Sequence, residues 1–147
     1  MKPSLRPGVS RVNRIPIGRE RTIGFMGEEA RTYGTPSMIL DIEHTCRELI
    51  LEHADAGEDS VGMEVAVKHL APTLMGMTVE ISVRVTAVDG RKIFFEASVK
   101  DELDAVGAGT HVRFVVDKAK TFERLKAKAA RFAAQSGATH GERRSPG

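Results

Sequence analysis

Three side chains stand where acid–base or nucleophilic chemistry could be done. Glu43 lies in a run, residues 35–50, where Ile39, Cys46 and Ile50 recur at helical spacing. It falls inside that apolar stripe, four residues after Ile39 and three before Cys46. A carboxylate on an apolar face loses hydration and needs a partner or a raised pKa, so it is a candidate base or nucleophile. His69 ends a strand-like run in which Val61, Met63, Val65 and Val67 alternate with Gly62, Glu64, Ala66 and Lys68. A neutral imidazole titrates near working pH and suits proton transfer. The pair could equally be a buried structural hydrogen bond. Thr35 precedes Pro36 and reads as a helix N-cap, beside N–H groups able to hold an oxyanion. Thr35 and Glu43 are eight residues apart, roughly 12 Å along a helix. They meet only if Thr35 folds back, Glu43 reaches toward the helix start, or a second subunit supplies one of them.

These residues need a helix and a sheet to hold them. The helix is expected from Thr35 to about Ala54, with Asp41, His44, Thr45, Glu48 and Glu52 on its wet face. A first strand is expected within residues 19–28, with Ile23 and Phe25 on its apolar side. Four strands then follow. The first presents Val61, Met63, Val65, Val67 and His69 to one side. The second presents Val79, Ile81, Val83, Val85 and Ala87. Asp89-Gly90 marks a two-residue hairpin turn. The third presents Ile93, Phe95, Ala97 and Val99, and the fourth Val106, Ala108, Thr110, Val112, Phe114 and Val116. His111 and Arg113 then fall on the outer face. The polar outer faces argue for an antiparallel sheet with one wet side, covered on the other by the helix. The expected class is α+β, a long central helix wrapped by an antiparallel sheet.

The 147 residues suit one folded unit. The reading divides the chain into an extended arm at 1–18, a central domain at 19–118, a basic helix at 119–134 and a disordered tail at 135–147. A content of 41% apolar and 29% charged residues is that of an ordinary globular protein. No apolar run approaches membrane-spanning length and no signal-like segment opens the chain, so a cytoplasmic location and no membrane partner are expected. Charge is unevenly spread: +5 over residues 1–21, −9 over 22–117 and +6 over 118–147. The basic ends read as solvated termini. Aromatics are not interleaved with the basic residues, so no nucleic-acid partner is expected. The lone Cys46 reads as a packed small hydrophobe. His44, Glu48 and Glu52 recur every four residues but read as a solvated face, so no metal and no cofactor is expected.

Thr35, Glu43, and His69 at the end of the run 60–69 together resemble the hot dog thioesterases of the fluoroacetyl-CoA thioesterase type. The likeness continues through Pro72, residues 76–79, the Asp89-Gly90 hairpin and the run from Gly107 to His111, covering about residues 20–118. It implies the hot dog fold, a homodimer, with pairing into tetramers left open, and hydrolysis of an acyl-CoA substrate at the subunit interface. It implies Thr35, Glu43 and His69 as the catalytic set, and Gly62 as a substrate-binding position where a missing Cβ allows close approach. A fluorinated acyl group would call for aromatic lid residues. The loop 27–34 holds only Tyr33 and the central helix holds none, so the expected substrate is another short or medium acyl-CoA. Two other readings stand beside a thioesterase. A hot dog enoyl-CoA hydratase would use an Asp/His pair close in sequence, and no Asp-x4-His occurs. A non-catalytic acyl-CoA binding module would bind without turnover.

Overall fold

The computed structural model describes the backbone of residues 1–144 and the side chains of residues 1–137. Pro36 in the first turn and apolar residues at 38, 42, 46 and 49 make α1, Thr35–Glu52. Met38, Ile42, Cys46, Leu49 and Ile50 are fully buried. The centre of the buried stripe therefore lies one step round from the expected one, and Glu43 sits half-buried on its border. Asp41 and Thr45, expected on the wet face, are buried. Asp41 finds partners beneath the helix start, and the Thr45 hydroxyl donates to the Asp41 carbonyl at 2.7 Å.

Alternating apolar residues build five antiparallel strands in the order β1-β5-β6-β7-β4. They are β1 (Ser10–Pro16), β4 (Glu58–His69), β5 (Thr78–Asp89), β6 (Lys92–Lys100) and β7 (Ala105–Asp117). Two short strands, β2 (Thr22–Ile23) and β3 (Thr32–Tyr33), pair separately. Helix α1 lies on one face of the large sheet against β4, β5, β1 and β7. Gly107 permits this contact: a Cβ there would stand 2.7 Å from Met38 Sδ. Arg47 also anchors α1 to β4, its Nε and Nη2 meeting the Asp59 carboxylate at 2.9 and 2.7 Å. The hairpin turn between β5 and β6 is Gly90-Arg91, with Gly90 at φ 59° and Asp89 paired to Lys92.

Several expectations shift. Residues 1–18 are not a bare arm: β1 pairs with β5, and Leu5 and Ile17 are buried in the core. Within residues 19–28 the strand shrinks to the two residues of β2, between a 3-10 turn at Arg19–Arg21 and another that begins at Glu28, and Phe25 is exposed. A bulge at Val85/Ala87 takes Ala87 out of the buried row. The tail expected to be disordered continues α2, Lys118–Arg144, and residues 145–147 lie outside those described.

The largest corrections concern β4 and β7. In β7 the inner face is Gly107, Gly109, His111, Arg113 and Val115, because Phe95 pairs with His111 and Ala97 with Gly109. His111 and Arg113 are therefore buried, opposite to the expected register. In β4 the register shifts between Gly62 and Glu64, leaving Met63 as the extra residue. Val65, Val67 and His69 keep the inner face, across from His111, Gly109 and Gly107. Before the bulge the phase reverses. Ser60 and Gly62 turn inward, while Val61 joins Phe114 on the outer face.

Candidate active site

Two groups of side chains face the β4 border of the helix. The first lies at the helix start. The Thr35 Oγ1 stands 2.8 Å from His69 Nδ1. Gly34, not Thr35, is the N-cap residue, so the threonine hydroxyl is free to serve the imidazole. His69 Nε2 is buried and has no hydrogen-bond partner among the described residues. A buried polar atom left in this way asks for an occupant. The Tyr33 ring meets the His69 ring edge-on, with centroids 6.2 Å apart and planes at 75°. The Tyr33 hydroxyl donates to Asp41 Oδ2 at 2.6 Å, and Arg21 Nε reaches the same oxygen at 3.2 Å.

The second group surrounds Glu43. The bulge at Met63 turns Gly62 toward the helix, where a Cβ would lie 3.0 Å from Glu43 Oε1. The same point is 3.4 Å from His111 Cε1 and 3.6 Å from Arg113 Nη1. Arg113 is pinned: Nε donates to Ser60 Oγ at 2.7 Å and Nη2 to the Ser60 carbonyl at 2.9 Å. Its Nη1 donates to His111 Nε2 at 3.1 Å, so that nitrogen must accept. His111 Nδ1 then carries the proton and donates to the Glu64 carbonyl at 2.8 Å. Burial pushes the His111 pKa down, which keeps the ring neutral in this role. Burial also lowers the Arg113 pKa, and the charge of nearby Glu43 opposes that shift. The guanidinium thus supplies positive potential beside Glu43 without a direct ion pair.

Within one chain the structure brings Thr35 and His69 together and holds Glu43 beside Gly62. It does not join the two groups. They are eight residues apart on α1, about 12 Å. On β4 they face Gly62 and His69, separated by roughly 20 Å of strand. Cys46, with its thiol pushed up to about 12 by burial, takes no part. Glu48 and Glu52, weighed above as a metal face with His44, instead bind Arg11, and Glu48 also accepts from Asn13 Nδ2 at 2.8 Å.

The sequence reading missed His111, Arg113 and Ser60 around Glu43, and the Tyr33–Asp41 pair. A signal for the first was present. Gly107 marks the row where the helix comes close, and Gly109, His111 and Arg113 continue that row in phase.

A long helix lying on one face of a five-stranded antiparallel sheet of this order is the hot dog fold, here that of the thioesterase superfamily. The chain belongs to the fluoroacetyl-CoA-specific thioesterase family, whose model matches residues 17–119. It is 26% identical to the fluoroacetyl-CoA thioesterase of Streptantibioticus cattleyicolor over 135 residues, covering 87% of this chain and 97% of that protein. A Thermus thermophilus hypothetical protein of the thioesterase superfamily superposes with a TM-score of 0.84 at 28% identity, covering 91% of this chain and 99% of the other. The structure of the fluoroacetyl-CoA thioesterase FlK superposes with a TM-score of 0.77 at 25% identity, covering 84% and 96%. Variants of FlK have been solved with fluoroacetate and CoA, and with acetyl-CoA.

Proposed function

We propose that this protein is an acyl-CoA thioesterase acting on a short or medium acyl chain, with Thr35, Glu43 and His69 as its catalytic set. The observation that carries the reading is the Thr35–His69 bond of 2.8 Å, which leaves His69 Nε2 buried and unpartnered beside the helix start. A thioester carbonyl seated there would meet the imidazole and the N–H groups of the first helical turn, which favour developing negative charge. Water adds to the carbonyl carbon, the C–S bond breaks, the thiolate leaves with a proton, and a carboxylic acid and free CoA result. Glu43 either takes the proton from the attacking water or itself adds to the carbonyl to give an anhydride that water opens. Gly62, with no side chain, leaves room for the acyl group beside Glu43.

The reading includes a homodimer. β4 is a twelve-residue edge strand whose outer side is unpaired among the described residues. It exposes Val61, Met63 and Val65, and α1 beside it exposes Leu40 and Leu51. Such an edge is a template for another strand. Antiparallel pairing of β4 with its copy, about an axis between Val65 and Ala66, would set Gly62 of one chain opposite His69 of the other. Glu43 of one copy would then approach the Thr35–His69 pair of the other, closing the gap that exists within one chain. Tetramer formation is left open.

Release of free thiol over a panel of acyl-CoAs tests the activity. Measurable turnover that falls to background in Glu43→Ala and His69→Ala supports the reading, and turnover unchanged in both variants overturns the site. Fluoroacetyl-CoA belongs in the panel. Within residues 27–34 Tyr33 is the one aromatic and it is committed to the His69 wall, and α1 carries none. A preference for a non-fluorinated chain is expected.

A further inference from the structure

We propose that Tyr33, tethered by Asp41, is a positioning residue that fixes the orientation of the His69 ring. The inference rests on the reading of His69 as catalytic given above, and deepens it.

The geometry is that of a wall rather than a filler. Tyr33 is 1% exposed and its backbone N–H donates to the Thr73 carbonyl at 2.8 Å, so the residue is held at both ends. Its hydroxyl donates to Asp41 at 2.6 Å. Asp41 is 3% exposed, a carboxylate deep under the first turns of α1, balanced by Arg21. A buried carboxylate is costly, and a buried ion pair is often replaceable by apolar side chains without loss of stability. A phenylalanine over a leucine would fill similar space. The polar pair does something those two would not: it prevents the phenol ring from sliding along the helix. Burial and the Asp41 carboxylate both raise the Tyr33 pKa, so the phenol stays a donor.

The ring so held stands edge-on to His69. An imidazole beside Thr35 has two ring orientations, related by a half-turn about its last bond. One puts Nδ1 at the threonine hydroxyl and leaves Nε2 for substrate. The other puts a ring carbon at the hydroxyl and breaks the bond. A fixed Tyr33 ring holds the plane of the imidazole against Thr35, and the 2.8 Å bond to the hydroxyl then selects the first of them. Tyr33 and Asp41 also straddle Thr35 in the chain, so the same short segment that carries the hydroxyl carries the device that aligns its partner.

The experiment combines turnover with a readout that needs none. Wild type, Tyr33→Phe, Tyr33→Leu and Asp41→Asn are compared for kcat and KM on the best acyl-CoA, for thermal unfolding, and for the His69 ring by long-range 15N–1H correlation. Tyr33→Phe is expected to lower kcat about tenfold and Tyr33→Leu about a hundredfold, with KM within about twofold, the scale on which small misplacements act. Wild type is expected to show one sharp His69 ring state, which broadens or doubles in Tyr33→Phe while the protein stays folded. Asp41→Asn, which keeps an acceptor for the phenol, is expected to retain most of the kcat that Tyr33→Phe loses. Wild-type kcat and a single His69 ring state in both Tyr33 variants overturn the proposal. If wild type hydrolyses no acyl-CoA, the thioesterase reading fails, and the His69 ring signals alone still decide the role of Tyr33. Should Tyr33→Leu not fold, Tyr33→Phe and Asp41→Asn carry the decision.

Discussion

The Thr35 hydroxyl stands 2.8 Å from His69 Nδ1, at the first residue of the central helix and the last residue of the longest free edge of the sheet. Glu43, the third member of the expected set, faces Gly62 at the other end of the same border.

Thr35→Ala is expected to lower kcat by about 10²-fold, while Thr35→Ser, which keeps the hydroxyl, retains most of it. Thr35 is exposed and is not the N-cap, so the melting temperature should hardly move. A large stability loss with unchanged kcat would make Thr35 a structural residue only.

Gly62→Ala places a methyl carbon 3.0 Å from Glu43 Oε1 and within 3.6 Å of His111 and Arg113. Steady-state kinetics should record at least a tenfold loss in kcat/KM, with a fold retained in circular dichroism. An unchanged kcat/KM would remove Gly62 from the substrate site.

Mixing two inactive proteins distinguishes a shared site from two private ones. If each site takes Glu43 from one chain and His69 from the other, Glu43→Gln mixed with His69→Ala regains about one quarter of wild-type activity, because half the dimers are mixed and half their sites are intact. Sites confined to single chains regain none. In parallel, Met63→Lys on the β4 edge should shift the mass in light scattering toward monomer.

His111 gives the stability a pH dependence of known sign. Its pKa is lowered on folding by burial, so the unfolded chain binds the proton more readily. The stability it permits is present above the unfolded value, about 6.5, and is lost as pH falls through the folded one. Urea midpoints measured between pH 7.5 and 5 should fall on the acid side, and His111→Gln should flatten that slope.

Cys46 has a pKa pushed up to about 12 by burial and no exposed surface. Thiol reagents should label it only as fast as the protein unfolds, and labelling should not track loss of activity. Rapid labelling of the native protein would contradict its place in the core.

The fold was legible where one physical signal dominated. The rows Val79–Val85 and Ile93–Val99 alternate without interruption and are the buried faces of β5 and β6. The central helix was legible from Pro36 and its apolar spacing. Glu43 drew notice as an intruder in the stripe, although it lies on the border beside Ile42 and Cys46. The errors came where tertiary contacts override a local pattern. Val112, Phe114 and Val116 look like an inner row by hydropathy. The packing of Met38 over Gly107 and the pairing of Phe95 with His111 set the opposite phase. Asp41 looked wet because nothing local announces Tyr33 and Arg21 as partners. The arm 1–18 looked coreless because its pairing partner, β5, lies some seventy residues away.

The extra residue at Met63 acts on β4 as a frameshift acts on a message. Residues after it are read by the helix in one frame, which gives Val65, Val67 and His69, and residues before it in the other, which gives Ser60 and Gly62. Flattening the bulge with Met63 kept in the ladder would restore a single frame. Keeping His69 in place would then present Met63 to Glu43 and turn Gly62 to the outer face, filling the site without changing any residue in it. Two chemistries of the strand, the glycine gap and the histidine, are thus kept on one side by a count of residues and not by their identities.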